Sequence, residues 1–342
     1  MAKAYAFYGS PAIDAVLAPR LAEAGLVRVE DVAAADVALT YCTSAAELEE
    51  AYFGTHGFVS DMAAGSLLID LSAVSPSFAR ELNAVALVND LAMVEAPLVV
   101  AAITSPEAFA KENLSCFAAG EEGAVERARE VLSAMFAQVH ETGGPGTAQL
   151  ARAAFTLQLA AQVIAAIEAD ALYRSFRRSV AGSGLGSAQP GAASPWANDM
   201  MDAIAAGRFD GPYTIEMFMG ELSAALMAAD DVELILPQAE SAIHLLELLA
   251  VIGGAQKAPA ALSLVYGDEA SCAAAGLDWT RAEQAYGSHS HGDCGCGHDH
   301  HDHDHVCGCG HDHDHGHDHD DYDDYDGYDD FGFDEFRGFG FN

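Results

Sequence analysis

The 342 residues carry 52 acidic and 15 basic side chains, a formal charge of −37, and 51% of them are hydrophobic. A chain this apolar builds cores, about two domains' worth at roughly 100–200 residues each, and is not disordered throughout. The charge leaves no basic surface to neutralise phosphates, which excludes nucleic acid and anionic membrane as partners.

The composition divides the chain. Residues 289–342 hold 12 of the 15 histidines, four of the seven cysteines, 16 acidic residues and a single cation, Arg337. The 288 residues before them hold 36 acidic and 14 basic residues, a balance that accounts for solubility and nothing more. The N-terminus has no basic region followed by an apolar stretch and a cleavage site. No later run approaches the ~18–20 uninterrupted apolar residues of a membrane span, so the expected location is cytoplasmic. Cys42, Cys116 and Cys272 are far apart in apolar surroundings and read as small hydrophobes.

In chain order, β-like runs at 4–8, 36–41, 66–71, 92–95, 115–118 and 138–141 alternate with amphipathic helical stretches at 13–24, 75–84 and 122–136. Such alternation implies a mostly parallel sheet covered on both faces. After Gly143-Gly144-Pro145-Gly146 only helices are predicted, at 147–176, 196–206, 214–228 and 232–252, with a Gly/Ser/Ala/Pro-rich connector at 182–195. The expected fold is an α/β Rossmann-like domain over residues 1–143, an all-α domain over 144–288 and a disordered tail over 289–342. His140 ends a predicted strand and His244 lies on an apolar helix face; both read as packed or solvent-edge histidines, and His56 as a loop residue.

The turn after the first strand is where a dinucleotide would meet the bare N–H groups of the first helix. It reads Gly9-Ser10-Pro11-Ala12-Ile13-Asp14, with only the first glycine of G-x-G-x-x-G. Pro11 removes one N–H, and Asp14 brings a carboxylate beside the place of a diphosphate. A plain strand-to-helix turn competes here with a phosphate loop. Glu30 and Asp31 stand at the spacing of a ribose-binding acid. Only four residues separate Asp31 from the next strand, however, whereas a parallel crossover needs a dozen or more. Either residues 27–29 form a second strand whose crossover helix is missing, or strand and helix are both deleted.

Several stretches resemble the β-hydroxyacid dehydrogenases, the group of 3-hydroxyisobutyrate and 6-phosphogluconate dehydrogenases. They are Ala35-Asp36-Val37-Ala38-Leu39-Thr40, Tyr52-Phe53-Gly54, Gly65-Ser66-Leu67-Leu68-Ile69-Asp70-Leu71-Ser72 with Pro76, Glu95-Ala96-Pro97-Leu98, Gly144-Pro145-Gly146-Thr147-Ala148-Gln149 and Leu226-Met227-Ala228-Ala229-Asp230. The resemblance implies an N-terminal domain for NAD or NADP, with Gly9, Ser10, Ala12, Cys42, Thr43 and Ser72 at the cofactor. It also implies a helical domain that forms a homodimer, and oxidation of a small 3-hydroxy acid. The family's substrate-binding serine falls on Val99, its catalytic lysine on Arg152, its asparagine on Thr156, a second lysine on Ala229 and a threonine near the nicotinamide on Ala73. Arg152 and Thr156 are thus the candidate catalytic positions, but an arginine stays protonated and cannot act as a base. An impaired site is the leading expectation. An active NAD(P)-dependent oxidoreductase is the second, with Arg152 binding an anionic substrate and Glu95, Tyr213 or His140 supplying the proton in one version.

The tail repeats a pattern thirteen residues apart: Cys294-Gly295-Cys296-Gly297-His298-Asp299-His300 and Cys307-Gly308-Cys309-Gly310-His311-Asp312-His313. With His289, His291, His301, His303, His305, His315, His317 and His319, these thiolates and imidazoles suit Ni, Zn, Co or Cu ions. The spacing is not that of a folded zinc finger, so a multi-site chelator is expected, against an inert acidic terminus or a tag. A metal-storage or metallochaperone protein on a dehydrogenase-like platform is the third reading. The closing Asp/Tyr and Phe/Gly segment reads equally as a partner-binding stretch or an inert extension.

Overall fold

The computed structural model describes residues 3–179 and 194–286. The predicted metal ligands and the rest of the tail lie outside the described residues.

The chain opens with β1 (Ala4–Gly9), α1 (Pro11–Glu23) and β2 (Val27–Arg28), then a 3-10 turn at Val32–Ala34 and β3 (Val37–Tyr41). There follow α2 (Ala45–Phe53), α3 (Phe58–Asp61), β4 (Leu67–Asp70), α4 (Pro76–Val88), β5 (Ala92–Glu95), β6 (Leu98–Val100), β7 (Leu114–Gly120), α5 (Glu122–Met135) and β8 (Gln138–Gly143). Strands β2, β1, β3, β4 and β5 lie side by side and parallel. Pro97 cannot donate to a ladder, and the chain breaks there into β5 and β6, both antiparallel to β7. Strand β8 pairs with β7 in parallel. Because βαβ crossovers place helices on both faces, the sheet separates two apolar layers. Leu48, Tyr52, Phe58, Leu68 and Leu82 belong to one; Ile13, Leu17, Leu39, Ile69 and Val94 belong to the other, which continues into the helical half.

Of the two alternatives after the first helix, the first holds. Residues 27–28 form an edge strand, and its crossover is reduced to the single 3-10 turn, capped by the Asp31 side chain accepting from the Ala33 N–H at 3.0 Å.

The helical half runs through α6 (Thr147–Ser179), α7 (Pro195–Ala205), α8 (Ile215–Asp230), α9 (Pro237–Leu249), a 3-10 segment at Pro259–Tyr266, α10 (Glu269–Ala274) and α11 (Thr280–Tyr286). The predicted helix at 232–252 begins five residues late. Glu233 takes a left-handed φ of 56° and Pro237 opens α9 at its first turn, where its missing N–H costs nothing. By length and composition Thr147–Phe176 would pass for a membrane span, contrary to the sequence expectation. Half of its most apolar window is buried within the protein, with Leu159, Ala160, Val163 and Ile167 in the core.

Candidate functional site

The C-terminal ends of β1, β3, β4 and β5 meet the start of α6 and the middle of α8. Gly9 closes β1 with φ 111°, and a Cβ there would stand 2.0 Å from the Tyr41 carbonyl oxygen, so only glycine allows this approach. The same carbonyl accepts the Ser10 N–H at 2.9 Å. Pro11 stands where the second glycine of the fingerprint lets a pyrophosphate approach, and Asp14 stands at the third. Asp14 is ion-paired with Arg28 of β2, while its Oδ1 is buried without a partner. Ala12 is left with one of the few free N–H groups of the helix start. Asp31 commits one carboxylate oxygen, Oδ1, to the Ala33 N–H of its own turn and is otherwise exposed, as is Glu30.

Deeper in, the predicted cofactor residues Cys42 and Ser72 come together in a network that joins the two halves, with Thr43 beside Cys42 in the adjoining cleft. The Cys42 N–H donates to Ser72 Oγ at 3.0 Å, and the Ser72 N–H to Asp70 Oδ1 at 3.0 Å. Gln149 of α6 donates to the Ser72 carbonyl at 2.9 Å and accepts the Val74 N–H at 3.1 Å. Burial pushes the Cys42 thiol up, with Glu47 and Asp70 adding to the shift, so this cysteine is a poor nucleophile.

Arg152 and Thr156 also come together, one helical turn apart on α6 and fully buried. Arg152 donates through Nε to the Leu98 carbonyl at 2.9 Å and through Nη1 to Thr156 Oγ1 at 2.6 Å; through Nη2 it is ion-paired with Glu221 of α8. Tyr213 donates its hydroxyl to the same Glu221 oxygen at 2.6 Å, and the guanidinium lies 5.4 Å from the Phe155 ring centroid. Burial alone would lower the Arg152 pKa; Glu221 and Tyr213 outweigh it, and the net shift is upward. The guanidinium therefore stays charged, and each of its three nitrogens already has a protein partner, Glu221 among them.

The three candidate proton donors are placed no better. Burial, then the Glu221 charge, raises Tyr213 well above the ordinary phenol range. Glu95 accepts the Ala148 N–H at 2.9 Å inside the protein, and His140 is exposed on β8 against Phe117. Val99 is buried in β6, and Ala229 is buried on α8.

Glu221 and Gly220 were not singled out from the sequence. The signal was there: Glu221 is the one charge inside Met217–Met227, and a buried acid needs a partner. Gly220 lets α8 press on the loop after β3, since a Cβ there would stand 2.6 Å from the Thr43 carbonyl oxygen. Between Tyr41, Cys42, Leu71, Leu98, Met217 and Glu221 there remains a cavity of about 10 Å³, the space of one water at most. A wider opening of about 230 Å³ lies outside it, lined by Thr43, Ser44, Ser75, Phe78, Ser223 and Met227, with no cation among its lining residues. The phosphate turn thus keeps fewer donors than the G-x-G-x-x-G fingerprint supplies, and the inner cleft is filled by protein. Among the described residues no group of His, Cys, Asp and Glu is arranged to hold a metal ion.

Residues 12–144 match the NAD binding domain of 6-phosphogluconate dehydrogenase, a match that begins just after Gly9 and Ser10. An NAD-dependent L-serine dehydrogenase of Pseudomonas aeruginosa is 26% identical over 257 residues, covering 72% of this chain and 83% of that protein. The solved 3-hydroxyisobutyrate dehydrogenase of Salmonella typhimurium superposes with a TM-score of 0.61 at 19% identity, over 77% of this chain and 99% of that one. A Mycobacterium tuberculosis 3-hydroxyisobutyrate dehydrogenase solved with L-serine gives a TM-score of 0.58 at 22% identity, over 78% and 100%. These two structures share the fold.

Proposed function

Since this chain belongs to the β-hydroxyacid dehydrogenase family and carries that family's NAD-binding domain, we propose that it keeps the scaffold while its hydride-transfer site is impaired. The observation that carries this reading is the buried Arg152–Glu221 pair. A general base must be able to lose its proton near the working pH, and a positioned acid/base group is typically worth ~10²–10⁴ in rate. At the position of the family lysine stands a cation that cannot deprotonate and is held by a carboxylate. Val99 in place of the serine removes a polar contact for a substrate carboxylate and adds apolar bulk.

Titrating the full chain with NADH and NADPH by fluorescence tests the reading. The expected result is no saturation in the micromolar range and no oxidation of 3-hydroxyisobutyrate or L-serine. Micromolar binding together with turnover would overturn it.

Two further parts of the proposal rest on other features. The tail's paired Cys-Gly-Cys-Gly-His-Asp-His units supply thiolate and imidazole donors for transition-metal ions. Equilibrium dialysis against Zn²⁺ or Ni²⁺, with and without residues 289–319, is expected to show more than one ion lost on truncation; a loss of less than one ion ends the chelator idea. A homodimer through the helical half is supported by the exposed apolar side chains of Leu172, Val232, Leu234 and Ile235, and sedimentation equilibrium at one monomer mass would refute it.

A further inference from the structure

Two buried carboxyl groups stand side by side where the sheet meets the long helix. Asp70 ends β4 and Glu95 ends β5, and the two are register partners on adjacent parallel strands, so their side chains share one face. They are 1% and 4% exposed. Asp70 accepts the Thr40 hydroxyl at 2.8 Å and the Ser72 N–H, while Glu95 Oε1 accepts the Ala148 N–H at the start of α6. Glu95 Oε2 is buried with no partner at all.

Among the described residues no cation is ion-paired with either carboxyl, although the Arg80 guanidinium lies over Gly146 at the start of α6. Around it are the hydroxyls of Thr40 and Tyr52, the Cys42 thiol and neutral Ser72 and Gln149. Arg80 and Glu81 of α4 are exposed, as are the charged residues of α5, and Arg152 of α6 is paired with Glu221. Two carboxylates in a dry site cannot both ionise cheaply, and the second oxygen of Glu95 has no donor to offset that cost. We propose that Asp70 and Glu95 form a proton-dependent fastener between the sheet and α6, which holds the first turn of the helix while the pair keeps a proton and loosens it when that proton is lost.

The direction of the effect follows from the environment. Burial pushes Glu95 up to about 7 against the backbone N–H bonds that favour its anion, with Asp70 adding to the rise. Burial likewise takes Asp70 to about 6, opposed by Ser72 and Thr40. Both groups sit above their unfolded values, so the stability they contribute is fully present in acid and is lost as pH climbs from about 4 to about 7, the Glu95 share last. Arg152 lies one turn along the same helix, so the fastener acts on the segment that positions the closed cleft. The proposal goes beyond the impaired-site reading, since it concerns neither cofactor nor substrate.

Hydrogen exchange of the full chain at pH 6 and pH 8.5, corrected for intrinsic rates, tests it in peptides covering residues 147–152. Wild type is expected to lose protection there by on the order of tenfold at the higher pH, the effect of about one pKa unit. Glu95→Gln is expected to show the same protection at both. An equal loss in the variant overturns the proposal, as does an unchanged wild type. If Glu95→Gln does not fold, the infrared spectrum of wild type in D₂O decides: a protonated-carboxyl C=O band that persists at neutral pH and disappears by pH 8.5 supports the pair, and its absence at neutral pH refutes it.

Discussion

Replacing Arg152 by Met separates the structural role of this residue from any chemical one. The side chain is fully buried and holds Glu221, Thr156 and the Leu98 carbonyl at once. Methionine has similar bulk, so the principal loss is electrostatic: Glu221 remains buried with the Tyr213 hydroxyl alone, and two further acceptors lose their donor. Breaking one side of a buried pair in this way costs about 3–5 kcal/mol, whereas replacing both sides by neutral groups is often close to neutral. Urea unfolding of Arg152→Met should therefore show a loss of about 3–5 kcal/mol at unchanged m-value, and Arg152→Met with Glu221→Gln should recover most of it. The two losses would then be strongly non-additive, with an interaction of up to ~3 kcal/mol. A loss below about 1 kcal/mol in the single variant, or simple additivity in the double one, would refute the view that Arg152 serves the fold.

Other outcomes follow from the same contacts. Tyr213→Phe removes a hydrogen bond to a charged acceptor and should cost about 1.5–3 kcal/mol in the same urea assay. Gly220→Ala places a methyl 2.6 Å from the Thr43 carbonyl oxygen and should destabilise by about 1–3 kcal/mol, with increased hydrogen exchange in the loop after β3; an unperturbed variant would show that α8 does not press on that loop. Asp70, raised to about 6 by burial, makes stability fall as pH climbs from about 4 to about 6, by roughly 3 kcal/mol, and Asp70→Asn should flatten that part of the stability–pH profile measured by urea unfolding.

The sheet was largely legible because its central strands are buried on both faces, and continuous apolar runs such as Leu67-Leu68-Ile69 advertise that. Helix α2 was not predicted, although Ser44 with Glu47 three residues on is a capping signal, and Ser44 does accept the Glu47 N–H. Strand β6 was missed because three residues after Pro97 carry too little pattern to distinguish from a loop. The family resemblance located Arg152 and Thr156, but local sequence could not show that Arg152 has a partner. Glu221 is 69 residues away, and what brings it close is the packing of α8 on α6. Likewise, Pro11 and Asp14 announced a poor phosphate turn, while the engagement of the Ser10 N–H by Tyr41 depends on a strand thirty residues later.

These contacts also decide what it would take to restore a base at position 152. Arg152→Lys returns the family residue type, yet the ammonium would sit against Glu221, which is 5% exposed and acts in a site of low polarity. An opposite charge at that range favours the protonated lysine and opposes the desolvation that would otherwise lower its pKa. The lysine would remain charged, and the inner cavity of about 10 Å³ would still exclude a substrate. Arg152→Lys alone should therefore give no NADH formation with 3-hydroxyisobutyrate at pH 7 to 9. Turnover by the single variant would show that Glu221 yields its cation readily and that the cleft opens. Arg152, Glu221 and Tyr213 meet at one carboxylate oxygen, and a functional base requires the acid opposite it to be removed as well.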